Sequence, residues 1–364
     1  MPGTREKSAL IAMSGGVDSS VAAHLMLEAG YCCEGAIMHL HWDADRGLSR
    51  NRTCCTRRDM EDAGEIAEQL GIPFTVLAYA DAFRKQVIDK FVRVYEEGGT
   101  PNPCIDCNRH LKFGKMLQAA ADKGLEYVVT GHYARIVYDK ASGRYLLKKA
   151  LHAEKDQSYV LYMLTQRQLA HIQFPLGSME KREVRAIAER LGLISAEKQE
   201  SQDICFVPDG DYCAFMEEYT GKTYPPGAFL NLEGRPVGCH QGAVRYTLGQ
   251  RKGLNLAMGT PVYVCGKSMS DNTVTVGPES ALYTKTVFAE DVNWIPFEAL
   301  EGPLQVTAKT RYRQKEQHAT VYPIERNGIR LEFEEPQRAV TAGQAVVLYD
   351  GDLVVGGGTI TKTK

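Results

Sequence analysis

The sequence predicts an α/β fold in three parts: an N-terminal domain on a mostly parallel sheet, a small central domain, and a C-terminal β-barrel-like domain. Three observations predict it. Short apolar segments alternate with amphipathic helical ones through the first third of the chain, the pattern of a sheet covered by helices on both faces. Near residue 215 this rhythm gives way to a glycine- and proline-rich stretch. From about residue 285 short strands separated by turn dipeptides take over. The 364 residues suit two or three domains, placed at 1–215, 216–285 and 286–364.

The first strand is the apolar run Ser8–Met13, followed by the turn Ser14-Gly15-Gly16 and a helix from about Asp18 to Glu28. Ala36–Leu40 reads as the next strand. A helix over about Arg57–Leu70 carries Met60, Ala63, Ile66, Ala67 and Leu70 at spacings of three and four, until Gly71-Ile72-Pro73 stops it. Phe74–Leu77 is a strand, about Asp81–Tyr95 a helix, Gly98–Arg109 a loop, Leu111–Ala121 a helix and Tyr127–Thr130 a strand. Further on, Leu304–Thr310, Ala319–Ile324, Ile329–Phe333 and Gln344–Tyr349 read as strands. Turns at Asn327-Gly328 and Asp350-Gly351 separate them, and Lys362–Lys364 reads as a frayed end.

Composition excludes several classes. With 44% hydrophobic and 24% charged residues the chain is not disordered. A net charge of −2, from 43 basic and 45 acidic residues, leaves no general basic coat for nucleic acid, only room for a local basic surface. No apolar run is long enough for a membrane span and no leader pattern precedes the first strand, so no membrane partner and a reducing cytoplasm are expected. There the ten cysteines (32, 33, 54, 55, 104, 107, 205, 213, 239 and 265) stay free, bind metal or react.

Ser14-Gly15-Gly16-Val17-Asp18-Ser19-Ser20 lies between a strand and a helix. Its glycines allow backbone geometry in which successive N–H groups and the helix N-terminus surround an anion, and Ser19 or Ser20 can cap the helix. It is neither a P-loop nor a dinucleotide fingerprint. The bland alternative is a plain strand-to-helix turn. In Gly98–Arg109, Cys104 and Cys107 are three apart, which suits a shared site and is also half of a zinc signature. Cys205 sits in Glu200–Val207, where Gln202 and Asp203 interrupt the apolar residues.

The glycine string resembles the pyrophosphate loop of the ATP pyrophosphatase superfamily. Together with the two cysteine segments, Gly131–Arg135, Lys155–Tyr159, Gly238–Gly242 and Tyr246–Gly253, the chain resembles the tRNA-specific 2-thiouridylase family over nearly its whole length. That resemblance implies an ATP pyrophosphatase-like first domain and replacement of the C2 oxygen of a wobble uridine by sulfur, after adenylation. It implies Cys107 as the nucleophile and Cys205 as the persulfide carrier, with a Cys107–Cys205 disulfide to be reduced between turnovers. Family members with an aspartate in place of Cys104 suggest acid–base work there. Alternatively, Cys104, Cys107 and Cys205 hold a [4Fe–4S] cluster.

The same resemblance assigns Ala12, Met13, Ser14, Gly15, Gly16, Val17, Asp18 and Ser19 to ATP, with Met38 and Gly131 on the adenosine side. Read alone, Met38 is a core residue and Gly131 a turn residue. Mg²⁺ is expected with ATP, near Asp18. Asn102, Pro103 and Cys104 fall at the target base, and His132, Lys155, Asp156, Gln157, Arg311, Tyr312 and Gln344 at the tRNA. Arg311, Arg313 and Lys315 alternate along an expected strand, as an RNA-facing row or as a solvated surface. The implied partners are a tRNA with a wobble uridine, a cysteine desulfurase or sulfur-relay protein, and a cellular reductant.

Overall fold

The computed structural model describes residues 7–40, 57–194, 204–207, 210–325 and 327–363. Cys54, Cys55 and residues 200–203 of the third cysteine segment lie outside them. The chain forms two compact units, Met1–Val87 with Pro103–Gly210 and Asp352–Val354, and Ile88–Asn102 with Asp211–Gly351 and Val355–Lys364.

In the first unit β1 (Ser8–Ala12), β2 (Cys32–His39), β3 (Phe74–Ala78), β4 (Tyr127–Val129) and β7 (Ile172–Gln173) make a parallel sheet in the order β3-β2-β1-β4-β7. Leu10, Ile11, Ile37, Val128 and Val129 are fully buried, as strands covered on both faces require. The helices Val17–Glu28, Arg57–Gln69 and Met116–Asp122 connect them. The order reverses between β1 and β4, so the crevice beyond the carboxyl ends of these two strands is the natural ligand position. β5 (Ala134–Asp139) and β6 (Arg144–Lys149) form a hairpin to which Leu353 is paired.

Several expectations need correcting. β2 begins at Cys32, ahead of the apolar run, because Ser8 and Ala9 of β1 pair with Cys32 and Cys33. The helix expected at Asp81–Tyr95 is broken into helical segments by a π-helical turn at Arg84–Ile88. Gly98–Arg109 is not all loop. Pro103 opens a helix, Pro103–Asp106, whose first position tolerates the missing N–H, and a π-helical segment Cys107–Lys115 continues it.

In the second unit β8 (Gly227–Leu230), β9 (Pro236–His240), β10 (Tyr263–Ser268) and β11 (Thr273–Gly277) form a mixed sheet, ordered β10-β11-β8-β9, over a core of Phe229, Val264, Val274 and Val276. β12 (Tyr283–Trp294), β13 (Leu304–Lys309), β14 (Gln317–Ile324), β15 (Gly328–Arg338), β16 (Ala345–Asp350) and β17 (Leu353–Thr363) follow in the order β12-β15-β14-β13-β16-β17. Pairing of β12 with β17 closes them into a barrel around Val306, Val321, Leu331, Phe333, Val346 and Leu348. The predicted turns hold, with Asn327 at φ 56° and Gly351 at φ 57°. The expected frayed end does not, since Lys362 and Thr363 pair with Phe288 and Val287. Arg311, Arg313 and Lys315 lie in the β13–β14 connection, so no strand alternation aligns them.

Lys267, on β10, donates its ammonium to the Tyr246 carbonyl at 2.9 Å, and burial lowers its pKa to about 8. Between pH 8 and the ordinary lysine value the unfolded chain binds more protons than the folded one, so this group makes stability rise with pH over that window. Lys267→Met is expected to raise Tm at pH 7 by about 2–4 °C and to flatten the rise above pH 8. Thermal melts from pH 7 to 10 check this; a fall in Tm at pH 7 would mean that the lost hydrogen bond outweighs the relieved desolvation.

Candidate active site

The glycine string lies at the strand-order reversal. Met13 N–H donates to Ala36 O at 2.8 Å, anchoring the loop's entry, and Gly15 takes φ 66°, closed to most side chains. Gly16 is the N-cap of the helix Val17–Glu28, with no side-chain cap. Ser19 and Ser20 do not cap; their hydroxyls donate back to Gly16 O at 3.1 and 2.9 Å, and Ser19 Oγ accepts from Ser14 N–H at 3.2 Å. The first N–H groups of the helix are therefore left without a capping side chain, which is what an anion site at a helix N-terminus needs.

Asp18 faces two further residues. Lys181 Nζ lies 2.7 and 2.8 Å from its two carboxylate oxygens, and Tyr133 donates its hydroxyl to Oδ1 at 2.8 Å. The Lys181 side chain is only 14% exposed. Gly131 crosses this corner so closely that a Cβ would stand 2.7 Å from the Asp18 carbonyl carbon and 2.9 Å from Ser19 N, so only glycine fits. Met38 is buried in β2, beside the phosphate-loop entry strand.

A hydrogen-bond chain leads from this corner to the cysteine helix. Tyr133 N–H donates to Gln157 Oε1 at 2.9 Å, and Gln157 N–H donates to Tyr133 O at 2.9 Å. Asp156 accepts from Ala150 N–H, Ser158 N–H and the Ser158 hydroxyl at 2.9, 3.2 and 2.8 Å. The Lys155-Asp156-Gln157 turn is thus held by its own acidic and amide side chains. Three residues later the Val160 carbonyl accepts from Asn108 Nδ2 at 3.0 Å.

His132 is enclosed. Its Nδ1 is 2.7 Å from the Thr130 hydroxyl, and its ring packs 5.8 Å from both Phe113 and Phe174. Burial first, and Lys112 second, push its pKa well below the usual histidine value, so it is neutral at pH 7 and packs the site from within.

Cys104 is exposed, and Cys107 and Cys205 are half-buried. Cys205 precedes Phe206 and Val207, which anchor the turn; Phe206 meets Phe83 edge-on at 5.6 Å. Among the described residues no group of three Cys, His, Asp or Glu is arranged to hold a metal ion. The donor set Cys104–Cys107–Cys205 therefore does not fit a [4Fe–4S] cluster in this arrangement.

In the second unit Gln344 Nε2 donates to Thr100 O and Pro101 O at 2.9 and 3.1 Å, and Thr100 N–H donates to Ala342 O at 2.8 Å. Gln344 thereby holds the loop leading to Asn102. The Arg311 guanidinium donates to Ala339 O, and Tyr312 is 40% exposed.

Sequence reasoning missed Lys181 and the role of Tyr133. One signal was present: Lys181 and Arg182 open the helix Lys181–Arg190, whose positive N-terminal dipole disfavours cations. A lysine there is held by something else, and Asp18 supplies it.

Family models cover nearly the whole chain. A tRNA methyl transferase HUP domain matches residues 7–209, a tRNA methyl transferase PRC-barrel domain 213–278, and an Aminomethyltransferase beta-barrel domain 284–360. The tRNA-specific 2-thiouridylase MnmA of Acetivibrio thermocellus is 49% identical over 98% of this chain and 99% of its own length. That of Moorella thermoacetica is 50% identical over 96% and 98%, and that of Clostridioides difficile 46% over 98% and 99%. With near-complete coverage on both sides at this identity, the chain belongs to the tRNA-specific 2-thiouridylase family.

Proposed function

We propose that this chain uses ATP to replace the C2 oxygen of a wobble uridine in tRNA with sulfur. The observation that carries most weight, beside family membership, is the hydrogen-bond chain Asp18–Tyr133–Gln157, whose turn also reaches the cysteine helix through Val160 and Asn108. It gives the phosphate loop and a thiol-bearing helix one common frame, which adenylation followed by sulfur transfer needs.

The residues Ala12–Ser19 take the ATP phosphates, with Met38 and Gly131 on the adenosine side. Lys181 adds a positive charge at the same corner. Asp18, whose carboxylate oxygens are hard donors and here pair with Lys181 and Tyr133, is the residue that would hold Mg²⁺, and the ion would neutralise phosphate charge. The uridine C2 oxygen attacks the α-phosphorus and pyrophosphate leaves. The terminal sulfur of a Cys205 persulfide then attacks C2, directly or as released hydrosulfide, and AMP departs. In the direct route Cys107 thiolate attacks Cys205 Sγ; the S–S bond breaks, sulfur stays on C2, and a Cys107–Cys205 disulfide awaits a cellular reductant. A cysteine desulfurase or a relay protein reloads Cys205.

Three functional parts follow, at 1–215, 216–285 and 286–364, the first catalytic and the other two positioning tRNA. Asn102, Pro103 and Cys104 meet the target base, while Lys155, Arg311 and Tyr312 contact the tRNA. No helix among the described residues is long and apolar enough to cross a membrane, and a cytoplasmic site of action fits its substrate.

The reaction is tested by asking whether ATP is split to AMP and pyrophosphate only when tRNA with a wobble uridine is present. ATP splitting that ignores the tRNA contradicts it. The RNA contacts are tested separately. Lys155→Ala and Arg311→Ala are each expected to lower the slope of log affinity against log salt by about 1, as loss of one phosphate contact does. Unchanged slopes in filter binding would remove both assignments.

A further inference from the structure

Asn108 follows Cys107 in the π-helical segment Cys107–Lys115 and is 2% exposed. Its hydrogen bond to the Val160 carbonyl identifies the nitrogen end of the amide, since a carbonyl can only accept. The other end, Oδ1, is closed off from solvent and has no hydrogen-bond partner among the described residues. A buried acceptor left unpaired is costly, and a functional role is one of the few reasons a protein keeps one. Asn108 is also fixed in place: its partner Val160 follows the turn that Asp156 and Gln157 hold rigid.

The chemistry of the missing donor is restricted. Asn108 Oδ1 can only accept, so whatever pairs with it must bring an N–H or O–H. A uracil base carries a single N–H, at N3, bonded to the C2 atom that receives sulfur. A cytosine in the same place presents a bare N3 lone pair, and two acceptors face to face repel. We propose that Asn108 Oδ1 accepts the N3–H of the target uracil and so selects uridine over cytidine at the wobble position. Asn108 is then a specificity-determining residue that holds C2 beside the neighbouring thiol. The oxygen is covered in this structure, so the base replaces what covers it. The π-helical segment that begins at Cys107 is of the kind frequently found at functional sites.

This inference rests on the thiolation reading, and its test separates the two. Affinity is measured without ATP for one tRNA carrying either uridine or cytidine at the wobble position. The wild-type protein is expected to prefer uridine by about tenfold, the effect of one paired against one opposed hydrogen bond. Asn108→Ala is expected to bind both tRNAs alike. Asn108→Gln, which keeps both a donor and an acceptor end, is expected to retain part of the preference, whereas a merely misfolded variant loses both tRNAs equally. A wild-type protein without preference, or Asn108→Ala with the full preference, overturns the inference and shows that Oδ1 is satisfied by water or not at all. Absence of any ATP-dependent sulfur gain by the wild type instead removes the thiolation reading itself.

Discussion

Cys107→Ser and Cys205→Ser are each expected to lower sulfur incorporation by at least about a thousandfold while ATP and tRNA still bind. The two losses differ in kind. Without the Cys205 sulfur no persulfide forms, so nothing reaches C2. Without Cys107, in the direct route, sulfur reaches C2 but the S–S bond to Cys205 is not cut, and the tRNA stays attached to the protein. A hydroxyl cannot replace either thiol, because it is neither deprotonated near neutral pH nor able to carry sulfur. Single-turnover assays on wild type and variant exposed alike to a persulfide donor and then freed of it, without added thiol, measure the first loss. Non-reducing gels show the second, as a protein–tRNA adduct released by reductant. Because both side chains are only half-buried, stability is not the expected route of failure. A Cys205→Ser protein that thiolates at the wild-type rate would contradict the assignment.

Lys181→Ala is expected to weaken ATP binding by about 30-fold or more. Lys181 lies within hydrogen-bonding distance of both Asp18 oxygens and is largely withdrawn from water. Removing it deletes one positive charge from a phosphate site. It also leaves the Asp18 carboxylate with the Tyr133 hydroxyl alone, facing a polyanion. Truncating one member of such a part-buried charged pair costs on the order of 2 kcal/mol, at the low end of the range for buried pairs. Lys181→Arg, which keeps the charge, should recover part of the affinity. Equilibrium dialysis with labelled ATP measures both variants, and wild-type affinity in Lys181→Ala would show that the lysine only braces the helix Lys181–Arg190.

Much of the scaffold was legible in sequence because local pattern and packing agree. The buried run Leu10–Ile11 precedes a glycine pair, and the carboxyl end of that strand is where the sheet order reverses. The barrel strands are separated by turns whose residues take positive φ, at Asn327 and Gly351. What escaped depends on partners far away in the chain. The β5–β6 hairpin leaves Val137 and Tyr138 exposed, 44% and 51%, so its alternation does not mark a buried face. The cysteine helix was hidden because Gly98–Pro103 reads as a breaker, although Pro103 suits a first helical position. Lys181 meets Asp18 across 163 residues, which no local spacing encodes. His132, whose motif suggests contact with RNA, is enclosed by Thr130, Phe113 and Phe174 through contacts that no local spacing encodes.

The central claim is that oxygen on C2 is exchanged for sulfur after ATP activates it. The direct measurement is mass spectrometry of the wobble nucleoside after incubating this protein with unmodified tRNA, ATP, a persulfide donor and reductant. 2-Thiouridine is expected only when ATP and the donor are both present, with one AMP formed per sulfur gained. Uridine left unchanged under these conditions, or thiolated without ATP, would contradict it.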